Sequence, residues 1–314
     1  NIIKEKFDII QIHGVTRLSP QILAVIASLI IRARIIYYYH DLLPETATMM
    51  RGYHGNTVFY KILRVFEKII CCISDVIIVV SDVMKEVLLK RIDKKKNIYV
   101  VYPYINTREF WSSNFEGFFD VDIKADETIR IVYVGKLEPV IRGIEALVDS
   151  FVDLIQNRSE KLQLLLVGSG PLMKNIKEKI RKMGLDRQII LFGWLPHEKA
   201  LKLISISDIA VITNPDSLEN HVAIPTKLIE YMFAGKLIVT NKLLQIKKIL
   251  ADNAIYFTWK NPKSLAIALE TAIERIKLKK IDEVRHNLIE KAKEFDVKIQ
   301  KEKLKRIYLT LLKH

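Results

Sequence analysis

The sequence predicts an α/β protein made of two doubly wound units, each built on a parallel sheet. Three observations indicate this class. The chain has 314 residues, enough for about two domains at roughly 100–200 residues per domain. Short runs rich in isoleucine and valine recur along it, as is typical of strands buried on both faces. Segments with helical spacing separate these runs, and such alternation favours a parallel sheet covered by helices.

The second half of the chain shows the alternation most regularly. Its first predicted helix carries Ile144, Leu147 and Phe151 on one face, which is the spacing of an amphipathic helix packed on a core. Because strands and helices alternate six times, we predict a doubly wound unit here. Its strands are predicted at Arg130–Val134, Leu162–Val167, Ile189–Phe192, Asp208–Ile212, Leu237–Thr240 and Ala254–Phe257.

The first hundred residues carry the same pattern in a shorter form, which we interpret as an incomplete second unit. Strand-like residues begin within a few positions of Asn1, so we expect the natural start of the protein to be missing. Strands are predicted at Phe7–His13, Arg34–His40, Asp75–Val80 and Asn97–Tyr102. Helices are predicted near Pro20–Leu29, Thr57–Ile73 and Val83–Arg91.

The stretch Phe110–Thr128 loses all periodicity and is interpreted as the linker between the two units. We therefore predict a first domain over residues 1–122 and a second over residues 123–293. The remaining residues, 294–314, contain a predicted amphipathic helix.

Composition narrows the class of partner. Fifty lysines and arginines against 36 acidic residues give a net charge of +14, which favours nucleic acid, an anionic membrane or a phosphorylated substrate. Basic and aromatic residues are not interleaved in one patch, so we do not expect nucleic-acid binding. The two cysteines form no disulfide framework, and no Cys/His spacing indicates a metal site. With apolar runs too short to span a membrane, these features favour a cytoplasmic protein.

Two glycine-containing loops follow consecutive predicted strands. Gly135 and Lys136 come directly after the first strand, and Arg142 precedes the helix that follows. Glycine lets the backbone approach a ligand closely, and a helix N-terminus attracts phosphate. Gly168 and Gly170 repeat the arrangement after the next strand. The alternative for both loops is an ordinary structural turn with solvated basic residues.

A polar segment and a short helix follow the strand Asp208–Ile212. Pro225 begins the predicted helix, Gly235 ends it, and Glu230 lies on its second turn. A carboxylate at the carboxyl edge of a parallel sheet is suited to accept hydrogen bonds from both hydroxyls of a ribose. The alternative is a solvated glutamate.

These segments, taken together and in order, resemble a known family. GKL…RG, VGSGPL, FGWL and PTKLIEYMFAGKLIV are similar to the nucleotide-sugar-binding domain of glycosyltransferase family 4, whose fold is GT-B. FDIIQIHG, IIYYYHDLLPE, DVIIVVSDVMKEVL and IYVVYPYIN resemble its acceptor-side domain. The resemblance covers most of residues 7–275 and implies two Rossmann-like domains facing one cleft. The family normally begins with further strands and a glycine-rich loop, and neither precedes Phe7.

The resemblance implies roles for particular residues. Arg142 and Lys136 would bind the donor diphosphate in place of a metal ion, and His40 would face the transferred sugar. Glu230 matches the second glutamate of a Glu-x7-Glu signature and would hold the ribose. The terminal helix within residues 294–314 would return to the first domain, which fits its amphipathic face.

The first glutamate of that signature is absent, because Val222 occupies its position. Glu219, Asn220 or His221 is the candidate to contact the donor sugar instead. The other donor-side candidates are Gly135, Gly168, Gly170, Gly193, Trp194 and Lys227.

The resemblance implies a retaining glycosyltransferase of the hexosyltransferase type that needs neither metal nor cofactor. It would move a sugar from a nucleoside-diphosphate sugar to a hydroxyl of a lipid-linked or polysaccharide acceptor. Two alternatives remain open: another GT-B enzyme such as a nucleotide-sugar epimerase, and a non-catalytic basic binding protein. An epimerase would need a carboxylate placed for proton abstraction, and the sequence offers no clear candidate.

The positive charge also predicts a position on the anionic inner face of the cell membrane, since basic residues near such a surface each contribute about 1 kcal/mol. The alternative is that the surplus lysines only keep the protein in solution. The candidate contacts are Pro20–Leu29 with Arg32 and Arg34, and the segment around Arg51, Lys61, Arg64 and Lys68.

Overall fold

The computed structural model describes residues 7–14, 18–50, 57–92, 96–107, 127–138, 143–156 and 158–313. They fall into two compact units. Unit 1 comprises the described residues of Asn1–Pro103, Ser217–Ile224 and Lys298–His314, and unit 2 those of Tyr104–Asp216 and Pro225–Val297.

Strands and helices alternate through most of the described chain. The strands are β1 (Ile9–His13), β2 (Arg34–Tyr39), β3 (Val76–Val79), β4 (Ile98–Val100), β5 (Ile129–Val134), β6 (Leu162–Val167), β7 (Ile189–Gly193), β8 (Ile209–Ile212), β9 (Leu237–Asn241) and β10 (Ala254–Phe257). The α-helices are α1 (Leu18–Ile31), α2 (Leu43–Met50), α3 (Val58–Ile73), α4 (Asp82–Leu89), α5 (Ile144–Gln156), α6 (Met173–Met183), α7 (His197–Ile206), α8 (Leu218–Val222), α9 (Thr226–Phe233), α10 (Leu244–Leu250), α11 (Pro262–Lys277), α12 (Asp282–Ala292) and α13 (Val297–Leu312).

Unit 1 is built on a four-stranded parallel sheet in the order β1-β2-β3-β4. Ile12 pairs with Tyr37, and Tyr37 pairs with Ile77 on the next strand. The central strands β2 and β3 are buried along almost their whole length, as expected for strands covered on both faces.

The terminal helix α13 belongs to unit 1. Its apolar residues Leu304, Ile307 and Leu311 pack against the core of that unit. The buried Gln300 accepts a hydrogen bond from the backbone N–H of Tyr102 at 3.0 Å. The helix α13 therefore packs on the same unit as the strands β1 to β4.

Unit 2 is built on a six-stranded parallel sheet in the order β10-β9-β8-β5-β6-β7. The chain proceeds from β5 outward to β7, returns to β8 beside β5, and then proceeds the other way to β10. The change of direction lies between β5 and β8, and ligands of open α/β sheets bind at the carboxyl ends of the strands at such a point.

The structure confirms the predicted α/β class with two parallel sheets, and each predicted strand lies within two residues of an observed one. The helix α2 was not predicted. It has eight residues, too few for a clear periodic pattern, and Pro44 lies in its first turn, where proline is tolerated. Residues 110–126 of the predicted linker lie outside the described residues. Within the described part of the chain, no helix has the length and apolarity needed to cross a membrane.

Candidate functional site

The loops that follow β5, β6 and β7 pack against one another at the carboxyl edge of the unit 2 sheet. The backbone N–H of Gly168 donates to the carbonyl of Gly193 at 2.7 Å. A Cβ added at Gly168 would lie 1.8 Å from the carbonyl oxygen of Gly135, and one at Gly170 would lie 2.4 Å from that of Leu137. Only glycine permits this close backbone approach. We call Gly135, Gly168, Gly170 and Gly193 the glycine floor.

Replacing Gly168 by alanine is expected to destabilise unit 2 strongly. The new methyl group collides with backbone, and overpacking costs about 1–3 kcal/mol. The strain of a positive φ, 137° at this residue, adds roughly 1–3 kcal/mol, the cost of a conformation that essentially only glycine adopts. Thermal unfolding measures the sum of the two costs.

Gly184→Ala is the matched control, because Gly184 has a φ of 67° but nothing within 4 Å of an added Cβ. It carries the strain of a positive φ, in the left-handed region, without the collision. Equal losses of stability in the two variants would contradict close packing of the floor.

Two lysines lie beside the glycine floor in different settings. The side chain of Lys136 is 71% exposed, with its ammonium 3.6 Å from the carboxylate of Glu138, so this pair is solvated and weak. The ammonium of Lys227 lies 4.6 Å from the centre of the Tyr133 ring and 3.1 Å from the point that a Cβ of Gly135 would occupy. Lys227 thus supplies a cation directly at the floor, whereas Arg142 lies outside the described residues.

The helix α9 is fixed to the end of β5 by a buried tyrosine. The hydroxyl of Tyr231 accepts a hydrogen bond from the backbone N–H of Val134 at 3.0 Å. Burial raises the pKa of this hydroxyl well above its ordinary value. Since Lys227 and Glu230 lie on the same helix, this bond sets their position relative to the glycine floor.

Glu230 is buried, with 6% of its surface exposed, so the alternative of a solvated glutamate is wrong. Its Oε1 lies 2.8 Å from Nε2 of His197. His197 begins α7, directly after the β7 loop that carries Trp194, whose surface is 73% exposed. The structure therefore joins two predicted donor-side elements, the α9 carboxylate and the loop after β7, through a histidine.

His197 was not among the residues predicted from the sequence. The signal that could have found it is its position two residues after the FGWL segment, at the same carboxyl edge as the glycines. A polar residue at the start of a helix there is a ligand candidate by topology alone.

Two further candidates lie on α8, which belongs to unit 1 and not to the unit of the glycine floor. The side-chain amide of Asn220 donates to the hydroxyl of Ser217 at 3.0 Å, and Glu219 lies in the first turn. Val222 is buried among the apolar residues of unit 1, and its carbonyl accepts a hydrogen bond from Ser81. The residue at the position of the first glutamate of the family signature is therefore a valine buried in the core of unit 1.

His40 lies at the carboxyl edge of the other sheet, directly after β2. Its Nε2 is 2.7 Å from Nδ1 of His13, which ends β1, and its ring stacks on Tyr38 at 4.3 Å. Burial, with a smaller effect from His13, lowers the pKa of His40 below its usual value. The imidazole is therefore neutral at neutral pH and acts as a hydrogen-bonding group, not as a cation.

Among the described residues, no group of three or more His, Cys, Asp or Glu side chains is placed to hold a metal ion. At the carboxyl edge of unit 2, the structure instead brings together the closely packed backbone of the glycine floor, the ammonium of Lys227 and the buried carboxylate of Glu230. A parallel α/β unit with this edge defines a protein of the nucleotide-binding, Rossmann-like class.

The chain belongs to the glycosyl transferases group 1 family, whose model matches residues 115–295. The model for Glycosyltransferase Family 4 matches residues 1–109. The resemblance seen in the sequence is thereby confirmed.

Individual relatives agree with this family. The chain is 24% identical over 228 residues to an uncharacterised glycosyltransferase of Methanocaldococcus jannaschii, covering 72% of this chain and 56% of the relative. It is also 24% identical over 209 residues to a subunit of the phosphatidylinositol N-acetylglucosaminyltransferase of Saccharomyces cerevisiae, covering 66% of this chain and 45% of that one. The chain thus spans about half the length of these relatives.

Solved structures share the fold. HepE of Anabaena in complex with UDP matches with a TM-score of 0.74 at 19% identity, covering 97% of this chain and 79% of that one. A glycosyltransferase of Rickettsia africae gives the same TM-score and identity, covering 100% of this chain and 79% of its own. These matches confirm the GT-B fold class.

Proposed function

We propose that the protein is a retaining glycosyltransferase that moves a sugar from a nucleoside-diphosphate sugar to a hydroxyl acceptor. The observation that carries the proposal is the buried carboxylate of Glu230 on the helix that also places Lys227 at the glycine floor. The chain belongs to a glycosyltransferase family, and HepE, which shares its fold, is described in complex with UDP-glucose.

In this proposal, each group meets one part of the donor. The floor brings backbone close to the diphosphate, and Glu230 accepts hydrogen bonds from the ribose hydroxyls. Trp194 and Gly193 lie where the base would be held, and Glu219 or Asn220 contacts the sugar. Lys227 adds a positive charge beside the phosphates, where charge-assisted hydrogen bonds are strongest.

Catalysis would be electrostatic. Negative charge grows on the diphosphate as the glycosidic bond breaks, and preorganised cations stabilise that charge. Lys136 and Arg142 are proposed for this task, with His40 hydrogen-bonded to the sugar. Retention places the new bond on the face that the diphosphate leaves, so a diphosphate oxygen takes the proton of the attacking hydroxyl.

Turnover is expected to survive EDTA, because lysine and arginine replace a divalent cation in this proposal. Arg142→Ala should remove most of the activity while Arg181→Ala, an exposed residue in the last turn of α6, keeps it. Release of nucleoside diphosphate from UDP-, GDP- and ADP-sugars measures both. Activity that EDTA abolishes and magnesium or manganese restores would contradict this mechanism.

We further propose that the acceptor is lipid-linked or a growing glycan and that the protein works on the anionic inner face of the cell membrane. The net charge of +14 supports an anionic surface as partner. Two helices of unit 1 support a lipid surface in particular.

The helix α3 carries apolar residues on its outward side as well as on its inward side, where Leu63, Ile70 and Cys71 are buried. Its inward side carries the buried Glu67, which accepts a hydrogen bond from Tyr39. Its outward side is a continuous apolar stripe, although surface helices normally turn their polar face to water. The stripe consists of Val58, Ile62, Val65, Ile69 and Ile73, which are 39–75% exposed.

The helix α1 extends this apolar surface. The steps β1-α1-β2 and β2-α3-β3 move in one direction along the sheet, and parallel crossovers are right-handed, so α1 and α3 lie on the same face of the sheet. Contiguous apolar surface of this kind marks an interaction site. The outward residues of α1 are Ile22, Leu23, Ile26, Leu29 and Ile30, which are 44–69% exposed.

Basic residues next to the apolar stripe favour an anionic lipid over an apolar protein partner. Lys61 and Lys68 are exposed on α3, and Arg32 is exposed after α1. Two other predicted contacts are occupied in ion pairs, since Arg34 contacts Asp75 at 2.9 Å and Arg64 contacts Glu67. Arg51 lies outside the described residues.

The protein is expected to sediment with phosphatidylglycerol vesicles at low salt and to be released as salt rises from about 0.05 to 0.5 M, because screening weakens the lysine contacts. The double variant Ile62→Asp/Val65→Asp should abolish binding even at low salt. Vesicle co-sedimentation measures both effects.

Ile267→Asp is the control, since this isoleucine is as exposed as Ile62 but lies on α11 of unit 2. Wild-type protein that stays in the supernatant at low salt would overturn the membrane proposal. So would a double variant that binds vesicles normally but loses self-association in gel filtration, since the stripe would then be a protein interface.

A further inference from the structure

A chain of four polar side chains connects the terminal helix to His40. The hydroxyl of Tyr308 on α13 contacts Oε1 of Gln11. The amide nitrogen of Gln11 lies 2.6 Å from Nε2 of His13, and Nδ1 of His13 lies 2.7 Å from Nε2 of His40. All four residues belong to unit 1. Tyr308 and Gln11 come from opposite ends of the sequence.

The donor and acceptor capacities of these groups fix where each proton lies. A carbonyl oxygen only accepts, so Tyr308 donates to Gln11, and the amide NH₂ only donates, so Nε2 of His13 accepts. A neutral His13 must then carry its proton on Nδ1 and donate it to His40. His40 accepts at Nε2 and must carry its own proton on Nδ1.

The ring geometry agrees with this direction of hydrogen bonding. The rings of His13 and His40 are nearly parallel, at 9°, with centroids 5.0 Å apart, so the two bonded nitrogens point at each other. Tyr38 stacks on both rings and limits their rotation. Because the pKa of His40 is lowered by burial and by His13, the His40 ring is neutral at neutral pH and can accept the proton of His13 at Nε2.

We propose that Tyr308, Gln11 and His13 are positioning residues that hold His40 as the Nδ1–H tautomer. The bond to His13 uses Nε2 of His40, and within the described part of the chain Nδ1 of His40 has no hydrogen-bond partner. His40 therefore presents a fixed N–H donor to an oxygen acceptor such as a sugar hydroxyl. The sugar hydroxyl as the ligand of His40 rests on the proposed function. The tautomer of His40 does not, because it follows from the hydrogen bonds alone.

The terminal helix thereby takes part in the site through a single hydroxyl. A tautomer fixed by a second hydrogen bond is the usual means by which a functional histidine is oriented. Removing the Tyr308 hydroxyl leaves the amide of Gln11 free to reverse, and His13 can then adopt either tautomer. The expected result is a mixture of tautomers at His40.

Two variants test the inference in the full-length protein: Tyr308→Phe and Gln11→Leu. Imidazole nitrogen NMR shifts should assign the His40 proton to Nδ1 in the wild type and show both tautomers in each variant. Turnover should fall about 3- to 10-fold, the effect of one neutral hydrogen bond, while the melting temperature and affinity for UDP stay unchanged. Tyr102→Phe is the control, because that hydroxyl binds Asp82 elsewhere in unit 1.

A wild-type His40 protonated on Nε2, or a Tyr308→Phe variant with an unchanged His40 tautomer, would overturn the inference. A wild-type protein with no transferase activity would refute the proposed function instead. The tautomer measurement uses no substrate, so it decides the inference in either case.

Discussion

Replacing Glu230 by alanine is expected to weaken binding of the preferred nucleoside diphosphate about 10- to 150-fold. A hydrogen bond to a charged group contributes about 1.5–3 kcal/mol, and the ribose would lose its carboxylate acceptor. The side chain is buried, so water cannot replace it easily. Calorimetry with UDP, GDP and ADP identifies the preferred ligand and measures the loss.

Two variants separate the ribose role of Glu230 from other effects. Glu198→Ala removes an exposed carboxylate next to His197 and should leave affinity unchanged. His197→Ala removes the 2.8 Å contact to Oε1 but keeps the carboxylate itself, so the loss should be smaller than for Glu230→Ala. A folded Glu230→Ala protein with wild-type affinity would refute the ribose role.

The strands were predictable because burial on both faces leaves a local signature. Runs such as Leu162–Val167 contain little but branched apolar residues, and the structure places the strand at the same residues. The order of the strands in the sheet follows from pairings between distant residues, for which the sequence pattern gives only the general rules of parallel folds.

The candidate site was predictable where local chemistry determines it. Gly135 and Gly168 follow strands, and the sequence alone indicates a close backbone approach there. The contact between His197 and Glu230 was not predictable, because it joins residues 33 positions apart on separate helices. The contact between the Lys227 ammonium and the Tyr133 ring was not predictable for the same reason, since the two residues are far apart in the sequence.

The orientation of α3 on the sheet could not be predicted from the sequence either. Apolar periodicity predicts an amphipathic helix over Thr57–Ile73, and the usual rule would turn its apolar face inward. The structure turns inward the face that carries Glu67 with the apolar Leu63, Ile70 and Cys71, and Tyr39 and Arg91 supply the partners of the Glu67 carboxylate. Those partners lie on β2 and after α4, so no window of sequence around α3 contains them.

Replacing Arg91 by methionine is expected to cost about 3–5 kcal/mol of the free energy of unfolding, the loss that follows when one partner of a buried ion pair is removed. The Arg91 guanidinium lies 2.5 Å from a carboxylate oxygen of Glu45 and 3.4 Å from one of Glu67. Both carboxylates are shielded from water, since their side chains are only 11% and 1% exposed. Thermal and denaturant unfolding measure the loss.

The pH dependence of that loss distinguishes an unpaired buried charge from a simple packing defect. Burial already raises the pKa of Glu67 above its ordinary 4.5, against the opposing effects of Tyr39, Arg91 and Arg64. Without Arg91 the pKa rises further, so the folded state gains protons relative to the unfolded state, and stability falls as pH increases. The deficit of Arg91→Met should therefore shrink as pH decreases from neutral toward 4.5.

Arg285→Met is the control for Arg91→Met. Arg285 is 3.9 Å from an exposed Asp282, and such a surface pair contributes about 0–1 kcal/mol. A deficit for Arg91→Met as small as the control, or one independent of pH, would contradict this account of α3.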